Sequence, residues 1–212
     1  MKESTRKIYE ELFERYPALN CVRENVFHAF EMIKSTYKDG GSLFCAGNGG
    51  SASDCEHIVG ELLKSFKKHR PIDEKTAAAL LNCGEEGAYL LDKLEGSLPA
   101  TSLISQTAVL TAFANDKAWD TALAQQLYGL SKQGDCLLVL STSGNSKNCV
   151  YSALVAKAKG LKTIAFTGIH GGKLKELCDE CICVPEIETY RVQELHLPVY
   201  HCLCAMLEDE FF

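Results

Sequence analysis

The chain has 212 residues, of which 46% are hydrophobic and 24% are charged, and its formal net charge is −6. This composition is typical of a globular protein long enough to bury a core, and the negative charge argues against a nucleic-acid-binding protein. No apolar run reaches the roughly 18 residues that a membrane-spanning helix requires. We therefore expect neither nucleic-acid nor membrane binding.

The number of cysteines indicates the redox state of the cellular compartment. Eleven cysteines occur in a chain whose N-terminus carries no apolar signal segment, which predicts reduced thiols in a cytoplasmic protein. Cys178 and Cys181 form a CxxC pair, but no second pair with zinc-finger spacing accompanies it. We interpret the cysteines mainly as small buried side chains.

The N-terminal 40 residues are predicted to be helical, with a break at Pro17 and a stop at Gly40–Gly41. Apolar strands alternate with helices after that point. Strands are predicted at 42–47, 101–106, 136–144, 162–168 and 181–185, and helices from the first glycine loop to about 66, within 107–135, and at 146–159, 171–180 and 189–212.

Alternation of apolar strands and helices predicts an α/β fold with a parallel sheet covered on both faces. We expect a single domain over residues 1–212, built as a three-layer α/β/α sandwich of the flavodoxin-like type. An Ala/Leu-rich segment at about 67–98 is predicted to form a helical excursion from the main layer. Ligands of such sheets bind beyond the carboxyl ends of the strands, where two polar loops fall.

The loop "STSGNS" (141–146) lies between a predicted strand and helix. Its hydroxyl groups, the backbone N–H groups near Gly144 and the helix N-terminus are suited to binding a phosphate without Lys or Arg. Serine before a helix also serves as a simple N-cap. One cap requires one hydroxyl, whereas this loop carries four, so we favour phosphate binding.

The loop "GNGGS" (47–51) follows the first predicted strand. It does not match GxGxxG, so a dinucleotide site is poorly supported. Its glycines would hold a ligand close to the backbone, and the amide of Asn48 could bind a sugar hydroxyl. As a lone signal, this loop does not distinguish ligand contact from an ordinary turn.

Two helices carry candidate acid, base or metal-binding side chains. His57 and Glu61 are four residues apart and share one helix face. Gln193 and His201 are eight apart on the last helix, about 80° apart around its axis. Together they could hold a zinc-like ion or place an acid/base pair over a substrate. His196 is an alternative to His201, and Pro198 is expected to kink this helix, so spacing alone does not choose.

Several of these motifs occur together in order. "GNGGSASDCEH…E", "ANDKAWD", "STSGNS" and "RVQELHLPVYH" together resemble the SIS (sugar isomerase) domain family. The HxxxE and QxxxxxxxH spacings are similar to those of its phosphoheptose isomerase branch. The similarity extends from about Val26 to the C-terminus.

The resemblance implies a role for each matching position. The implied substrate-binding positions are Asn48, Gly49, Gly50, Glu61, Asn115, Asp116, Ser141, Thr142, Ser143, Ser146 and Gln193. The implied zinc ligands are His57, Glu61, Gln193 and His201. Glu61 and His201 are then the implied catalytic residues, with Glu61 moving a proton between C1 and C2 of the sugar.

The reaction that the resemblance implies converts sedoheptulose 7-phosphate to D-glycero-D-manno-heptose 7-phosphate through an enediol. It also implies a homotetramer (or a dimer) whose sites are shared between subunits. The alternative is a non-catalytic SIS module that binds a phosphosugar or a replication-initiator protein, and an amino-sugar phosphate isomerase or lyase is a third possibility. The segment 67–98 is longer than in the isomerases that the sequence resembles.

Overall fold

The computed structural model describes residues 1–212. Two helices, α1 (Glu3–Arg15) and α2 (Arg23–Lys38), flank a 3₁₀ segment at Pro17–Val22. Pro17 stands at the first position of that segment, where its missing N–H group costs no hydrogen bond. The helical character expected for the first 40 residues and the break at Pro17 are therefore both present.

Five parallel strands form one sheet in the order β2-β1-β3-β4-β5, which is the strand order of a flavodoxin-like doubly wound fold. Every residue of β1 and β3 is buried, as the continuous apolar runs predict. The strands are β1 (Leu43–Ala46), β2 (Ala100–Ser102), β3 (Cys136–Leu140), β4 (Lys162–Thr167) and β5 (Glu180–Cys183).

Helices cover both faces of the sheet, so the three-layer α/β/α prediction is confirmed. The remaining helices are α3 (Gly50–Leu63), α4 (Glu74–Leu81), α5 (Gly84–Lys93), α6 (Thr107–Phe113), α7 (Ala122–Leu130), α8 (Lys147–Ala158), α9 (Gly172–Leu177) and α10 (Thr189–Phe211). One buried apolar cluster joins the sheet to α1, α2, α3 and α10, and a second joins its other face to α7, α8 and α9.

The polar loops after β1 and β3 lie side by side. These strands are neighbours in register, with Ala46 paired to Val139, and the chain leaves them in opposite directions along the sheet, toward β2 and toward β4. This is the topological switch point, where doubly wound sheets bind ligands. The position expected for both loops is therefore present in the fold.

The excursion at 67–98 consists of a helical hairpin, α4 and α5. No residue of α4 is buried, and Gly87 is the one buried residue of α5. A Cβ atom at Gly87 would lie 1.9 Å from the carbonyl oxygen of Leu80, so glycine is needed for the two helices to pack this closely. At the base, the N–H of Gly96 donates to the carbonyl of Arg70 at 2.7 Å.

A buried ion pair joins the end of α3 to α10. The side chains of Arg70 and Glu208 are 0% and 1% exposed, and Arg70 Nε lies 2.8 Å from Glu208 Oε1. The guanidinium also donates to the carbonyls of Glu61 at 2.9 Å and Leu62 at 2.8 Å. These bonds satisfy carbonyls that the helix end leaves free, and α3 accordingly ends at Leu63, three residues before the predicted Phe66.

Glu208 also accepts hydrogen bonds from successive backbone N–H groups of the turn after α3. The N–H groups of Phe66 and Lys67 lie 2.8 and 2.7 Å from its carboxylate oxygens. Although burial acts to raise the pKa of Glu208, these N–H groups and Arg70 hold it below its ordinary value. The carboxylate is therefore stabilised in its charged form.

Some element bounds differ from the prediction. β3 ends at Leu140, and 141–146 form a loop, because the N–H of Ser141 makes the last bond to the carbonyl of Phe166. β2 has three residues, since Ile104 and Ser105 turn back onto Ser102. α10 continues through Pro198 as one helix. None of the helices combines the length and hydropathy required to cross a bilayer.

The Arg70–Glu208 pair generates a stability prediction. We expect Arg70→Met to lower the free energy of unfolding by about 3–5 kcal/mol, because Glu208 would stay buried with an uncompensated charge. Lys93→Met is the control, since Lys93 forms an exposed ion pair with Asp92 and should change stability little. Urea unfolding followed by circular dichroism measures both variants. A similar loss of unfolding free energy in Arg70→Met and Lys93→Met would contradict the role of burial.

Candidate active site

The loop after β1 is shaped by glycine. Gly49 adopts φ +54° at the N-cap of α3, a conformation that costs little only for glycine. A Cβ atom at Gly50 would lie 2.8 Å from the side-chain nitrogen of Gln193. The amide of Gln193 therefore lies against the start of α3, with Nε2 3.5 Å from Ser51 Oγ.

The loop after β3 does not use its hydroxyls as a helix cap. Ser146 occupies the N-cap position of α8, but its side chain makes no capping hydrogen bond. Instead Ser141 Oγ donates to Ser146 Oγ at 3.1 Å, and Ser143 Oγ accepts from the N–H of Asn145. Hydroxyls and the start of a helix thus meet in one loop, which is the chemistry of an anion site.

Gly144 has a specific steric role in this loop. It adopts φ +65°, and a Cβ atom there would lie 1.9 Å from the carbonyl oxygen of Gly171. Its own carbonyl accepts from the N–H of Leu174 at 3.1 Å. On the other side of the loop, the carbonyl of Thr142 accepts from the N–H of Gly168 at 2.9 Å. The loop after β4 therefore braces the hydroxyl loop.

A reciprocal amide pair joins the two polar loops. Asn48 Nδ2 donates to Asn148 Oδ1 at 2.9 Å, and Asn148 Nδ2 donates to Asn48 Oδ1 at 2.7 Å. Asn148 is buried, whereas Asn48 is exposed. Asn148 could not be predicted from the sequence, because an asparagine in the first turn of a helix carries no distinctive signal.

His57, Glu61 and His201 come together between α3 and α10. His57 Nε2 lies 3.2 Å from Glu61 Oε1 and 3.5 Å from His201 Nε2. Glu61 Oε2 also accepts from Lys64 Nζ at 3.0 Å. Burial lowers the pKa of His201, and the nearby His57 lowers it further, so the neutral imidazole of His201 is favoured.

The structure separates the two candidate histidines of α10. His196 is fully buried, with Nε2 3.3 Å from the carbonyl oxygen of Thr167 and its ring against Phe166. Burial lowers its pKa to about 4. His201 instead faces His57, with ring centroids 4.9 Å apart. His196 is thus a core residue, and His201 is the histidine available to the site.

Gln193 lies away from the other three candidate zinc ligands. It precedes His201 by eight residues, about 12 Å along the axis of α10, and its amide contacts Ser51 at the opposite end of α3 from Glu61. His57 Nε2 contacts both Glu61 Oε1 and His201 Nε2. No group of three or more His, Cys, Asp or Glu side chains is arranged to hold a metal ion.

Tyr200 and Asp54 orient His57. The hydroxyl of Tyr200 donates to Asp54 Oδ1 at 3.2 Å and lies 3.0 Å from His57 Nδ1. Because the tyrosine hydroxyl donates its single proton to Asp54, its oxygen accepts from Nδ1–H of His57. Nε2 of His57, which faces Glu61 and His201, is then the nitrogen with the free lone pair. This places two acceptors, Nε2 and Glu61 Oε1, at hydrogen-bond distance.

Asp54, at one end of this series of hydrogen bonds, is partly buried. Asp54 Oδ2 is buried without a hydrogen-bond partner, and burial raises the pKa of Asp54. Burial also raises the pKa of Tyr200, as do Asp54 and its hydrogen bond. Neither Asp54 nor Tyr200 was predicted from the sequence. Their only sequence signal is their position, which the structure makes meaningful: Asp54 lies three residues before His57, and Tyr200 directly precedes His201.

Asn115 and Asp116 lie outside this group in the single chain. They occupy a π-helical segment, Ala114–Ala118, and Asn115 Nδ2 donates to Asp116 Oδ1 at 2.9 Å. Both side chains are exposed. The structure therefore brings the two loops together and joins His57, Glu61 and His201, but it leaves this pair apart from both.

Comparisons with known proteins identify relatives of this chain. A family model described as the SIS domain matches residues 94–168. The phosphoheptose isomerase of Nitratiruptor sp. is 34% identical over 206 residues, covering 97% of this chain and 94% of that protein. The phosphoheptose isomerase of Thermodesulfovibrio yellowstonii is 35% identical over 215 residues, covering 100% and 94%.

A solved structure is similar over the whole chain. A phosphoheptose isomerase from Francisella tularensis has a TM-score of 0.76 at 25% identity, covering 99% of this chain and 100% of that one. The flavodoxin-like sheet, the hydroxyl loop at its switch point and the SIS-domain match at residues 94–168 together define a SIS-domain protein. With identities of 34 and 35% over nearly its full length, the chain belongs to the phosphoheptose isomerase family.

The orientation of His57 can be tested directly. We expect Tyr200→Phe to release Nδ1 of His57, so that the Nε2–H tautomer, which can donate to Glu61, becomes populated. The tautomer is read from the ¹⁵N chemical shifts of the neutral histidine ring. Tyr128→Phe is the control, because Tyr128 is exposed and far along the chain from this group. An unchanged tautomer in Tyr200→Phe would contradict the assigned hydrogen-bond direction.

Proposed function

We propose that this protein is a ketose–aldose isomerase whose substrate is sedoheptulose 7-phosphate and whose product is D-glycero-D-manno-heptose 7-phosphate. The observation that carries this proposal is the contact of Glu61, His57 and His201 between α3 and α10. A domain that only bound a phosphosugar would need the hydroxyl loop alone. The curated relatives of matching length are phosphoheptose isomerases by name.

In the proposed mechanism, the hydroxyl loop holds the phosphate. Ser141, Thr142, Ser143 and Ser146 and the N-terminus of α8 supply neutral donors and a favourable dipole. The protein therefore needs no cluster of basic residues at this loop, which agrees with its negative net charge. The resemblance extends binding roles to Asn48, Gly49, Gly50 and Gln193 on the neighbouring loop.

Glu61 is the proposed base. Isomerisation through an enediol removes a proton from one carbon and returns it to the next, so one carboxylate in contact with C1 and C2 suffices. The side chain of Glu61 is 12% exposed, which limits access of water to the transferred proton. His201, neutral because burial lowers its pKa, is suited to exchanging a proton with the substrate oxygen.

We also propose that the site holds one zinc ion. Two imidazoles and a carboxylate are donors that zinc uses, and the oriented Nε2 of His57 faces Glu61 Oε1 at 3.2 Å. Two acceptors at this distance require a proton or a cation between them. His57, Glu61 and His201 would be ligands; the resemblance implies Gln193 as the fourth, although in the single chain its amide contacts Ser51. When bound, zinc would polarise the substrate carbonyl.

The proposed assembly is a homotetramer, or a dimer, in which sites are shared between subunits. Asn115 and Asp116 are exposed and bond only to each other, and Trp119 beside them is 65% exposed. A neighbouring subunit would bring such a pair to a site that one chain leaves open. We place the protein in the cytoplasm, which agrees with eleven unpaired cysteines.

The isomerase proposal is tested with Glu61→Gln. We expect the variant to lose at least about 10²–10⁴-fold in kcat and to retain binding of sedoheptulose 7-phosphate, measured by calorimetry. Glu56→Gln is the matched control, because Glu56 lies on the same helix, is exposed and bonds Ser105. Full activity of Glu61→Gln would place the base elsewhere. Binding without turnover by the unaltered protein would favour the non-catalytic alternative.

The zinc proposal is tested by metal content. Protein incubated with zinc and then desalted should contain about one zinc per subunit by elemental analysis. His57→Ala should contain little zinc, whereas His170→Ala should match the unaltered protein, because His170 is exposed and outside the site. No zinc in the unaltered protein, or equal zinc in both variants, would overturn the ligand assignment without affecting the test of Glu61.

A further inference from the structure

Two cysteines face each other on the edge strand β5, away from the candidate active site. Cys181 and Cys183 are two residues apart on the strand, so their side chains project from the same face. Their Sγ atoms are 3.5 Å apart. β5 pairs only with β4 and is the last strand of the sheet, so no further strand pairs with its outer edge.

A threonine and a lysine surround the pair. Thr167 Oγ1 lies 3.4 Å from Cys183 Sγ and 3.6 Å from Cys181 Sγ. Contact with the Cys181 sulfur lowers the pKa of Cys183, partial burial acts against this, and Thr167 and Lys175 lower it further. Burial instead raises the pKa of the nearby Cys178 to about 12. Cys183 is thus distinguished from a structural thiol by its neighbours.

The pair is accessible from solvent. A cavity of about 340 Å³ is lined by both cysteines, by Lys175 and Pro185, and by the exposed Cys21 of the 3₁₀ segment. Cys181 and Cys183 are each partly exposed, whereas Cys45, Cys136 and Cys149 are buried. A small polar oxidant can therefore reach these two sulfurs without opening the fold.

We propose that Cys181 and Cys183 form a dithiol site that hydroperoxides oxidise to a reversible disulfide. The Cys183 thiolate attacks one peroxide oxygen, the O–O bond breaks, and hydroxide or alkoxide leaves with the second oxygen, which yields a sulfenic acid. The Cys181 sulfur then attacks the Cys183 sulfur. The S–O bond breaks, the S–S bond forms, and water leaves with the thiol proton. The two sulfurs supply the two electrons that reduce the peroxide.

Strand geometry makes this disulfide easy to reduce. Residues two apart on a strand are separated by about 6.6–6.8 Å along its axis, which is at the long end of the range of about 4.4–6.8 Å for Cα atoms joined by a disulfide. Local shortening of β5 would relieve the resulting strain, and strained disulfides are the labile ones. An edge strand tolerates that change better than a central strand.

The test uses the full-length protein with Cys21→Ala and Cys83→Ala, which removes its two exposed thiols. After treatment with one equivalent of hydrogen peroxide, we expect a mass loss of about 2 Da, corresponding to two hydrogens, that dithiothreitol reverses. Fragmentation of the 176–191 peptide should locate the bond between Cys181 and Cys183. Cys178→Ser in the same background is the matched control and should behave identically.

Single variants separate the two roles. Cys181→Ser should stop at a sulfenic acid on Cys183 that dimedone captures, and Cys183→Ser should show no mass loss. No mass loss in the parent protein at this dose would overturn the proposal. A mass loss that persists in either single variant, or that requires Cys178, would overturn it as well. Neither outcome depends on the isomerase activity.

Discussion

Helices from distant parts of the chain, α3 and α10, are held side by side by the buried ion pair of Arg70 and Glu208. Arg70 donates hydrogen bonds to carbonyls in the last turn of α3, and its partner Glu208 belongs to α10. At the other end of the same helices, Gln193 lies against Gly50. With both ends tied, the imidazole of His201 is held opposite that of His57, so the relative position of the reacting groups depends on a salt bridge outside the site.

The site combines two kinds of polar chemistry. At the switch point, hydroxyls and the start of α8 provide neutral donors, so an anionic ligand is compatible with an acidic protein. Between α3 and α10, a chain from Asp54 through Tyr200 to His57 fixes which imidazole nitrogen faces Glu61. Tyr200 is buried and the Glu61 side chain is only 12% exposed, which strengthens their hydrogen bonds and makes an unpaired partner costly.

Local pattern predicted the layers of the fold, because apolar strands such as β3 must be buried on both faces. It could not choose between His196 and His201, since both lie on one helix and only packing against Phe166 buries the former. The Arg70–Glu208 pair joins residues far apart in sequence, and nothing local marks such partners. The roles of Asn115 and Asp116 stay predictions, because one chain does not bring them to the loops.

The hairpin of α4 and α5 can vary in length without a change in the candidate active site. Its ends meet where the carbonyl of Arg70 accepts from the N–H of Gly96, and its helices pack against each other through Gly87. Closing a longer segment costs only about 0.6 kcal/mol for each doubling of its length. Evolution can therefore extend, trim or exchange this appendage, and protein engineers can graft a foreign module there, while the apparatus around His57 keeps its shape.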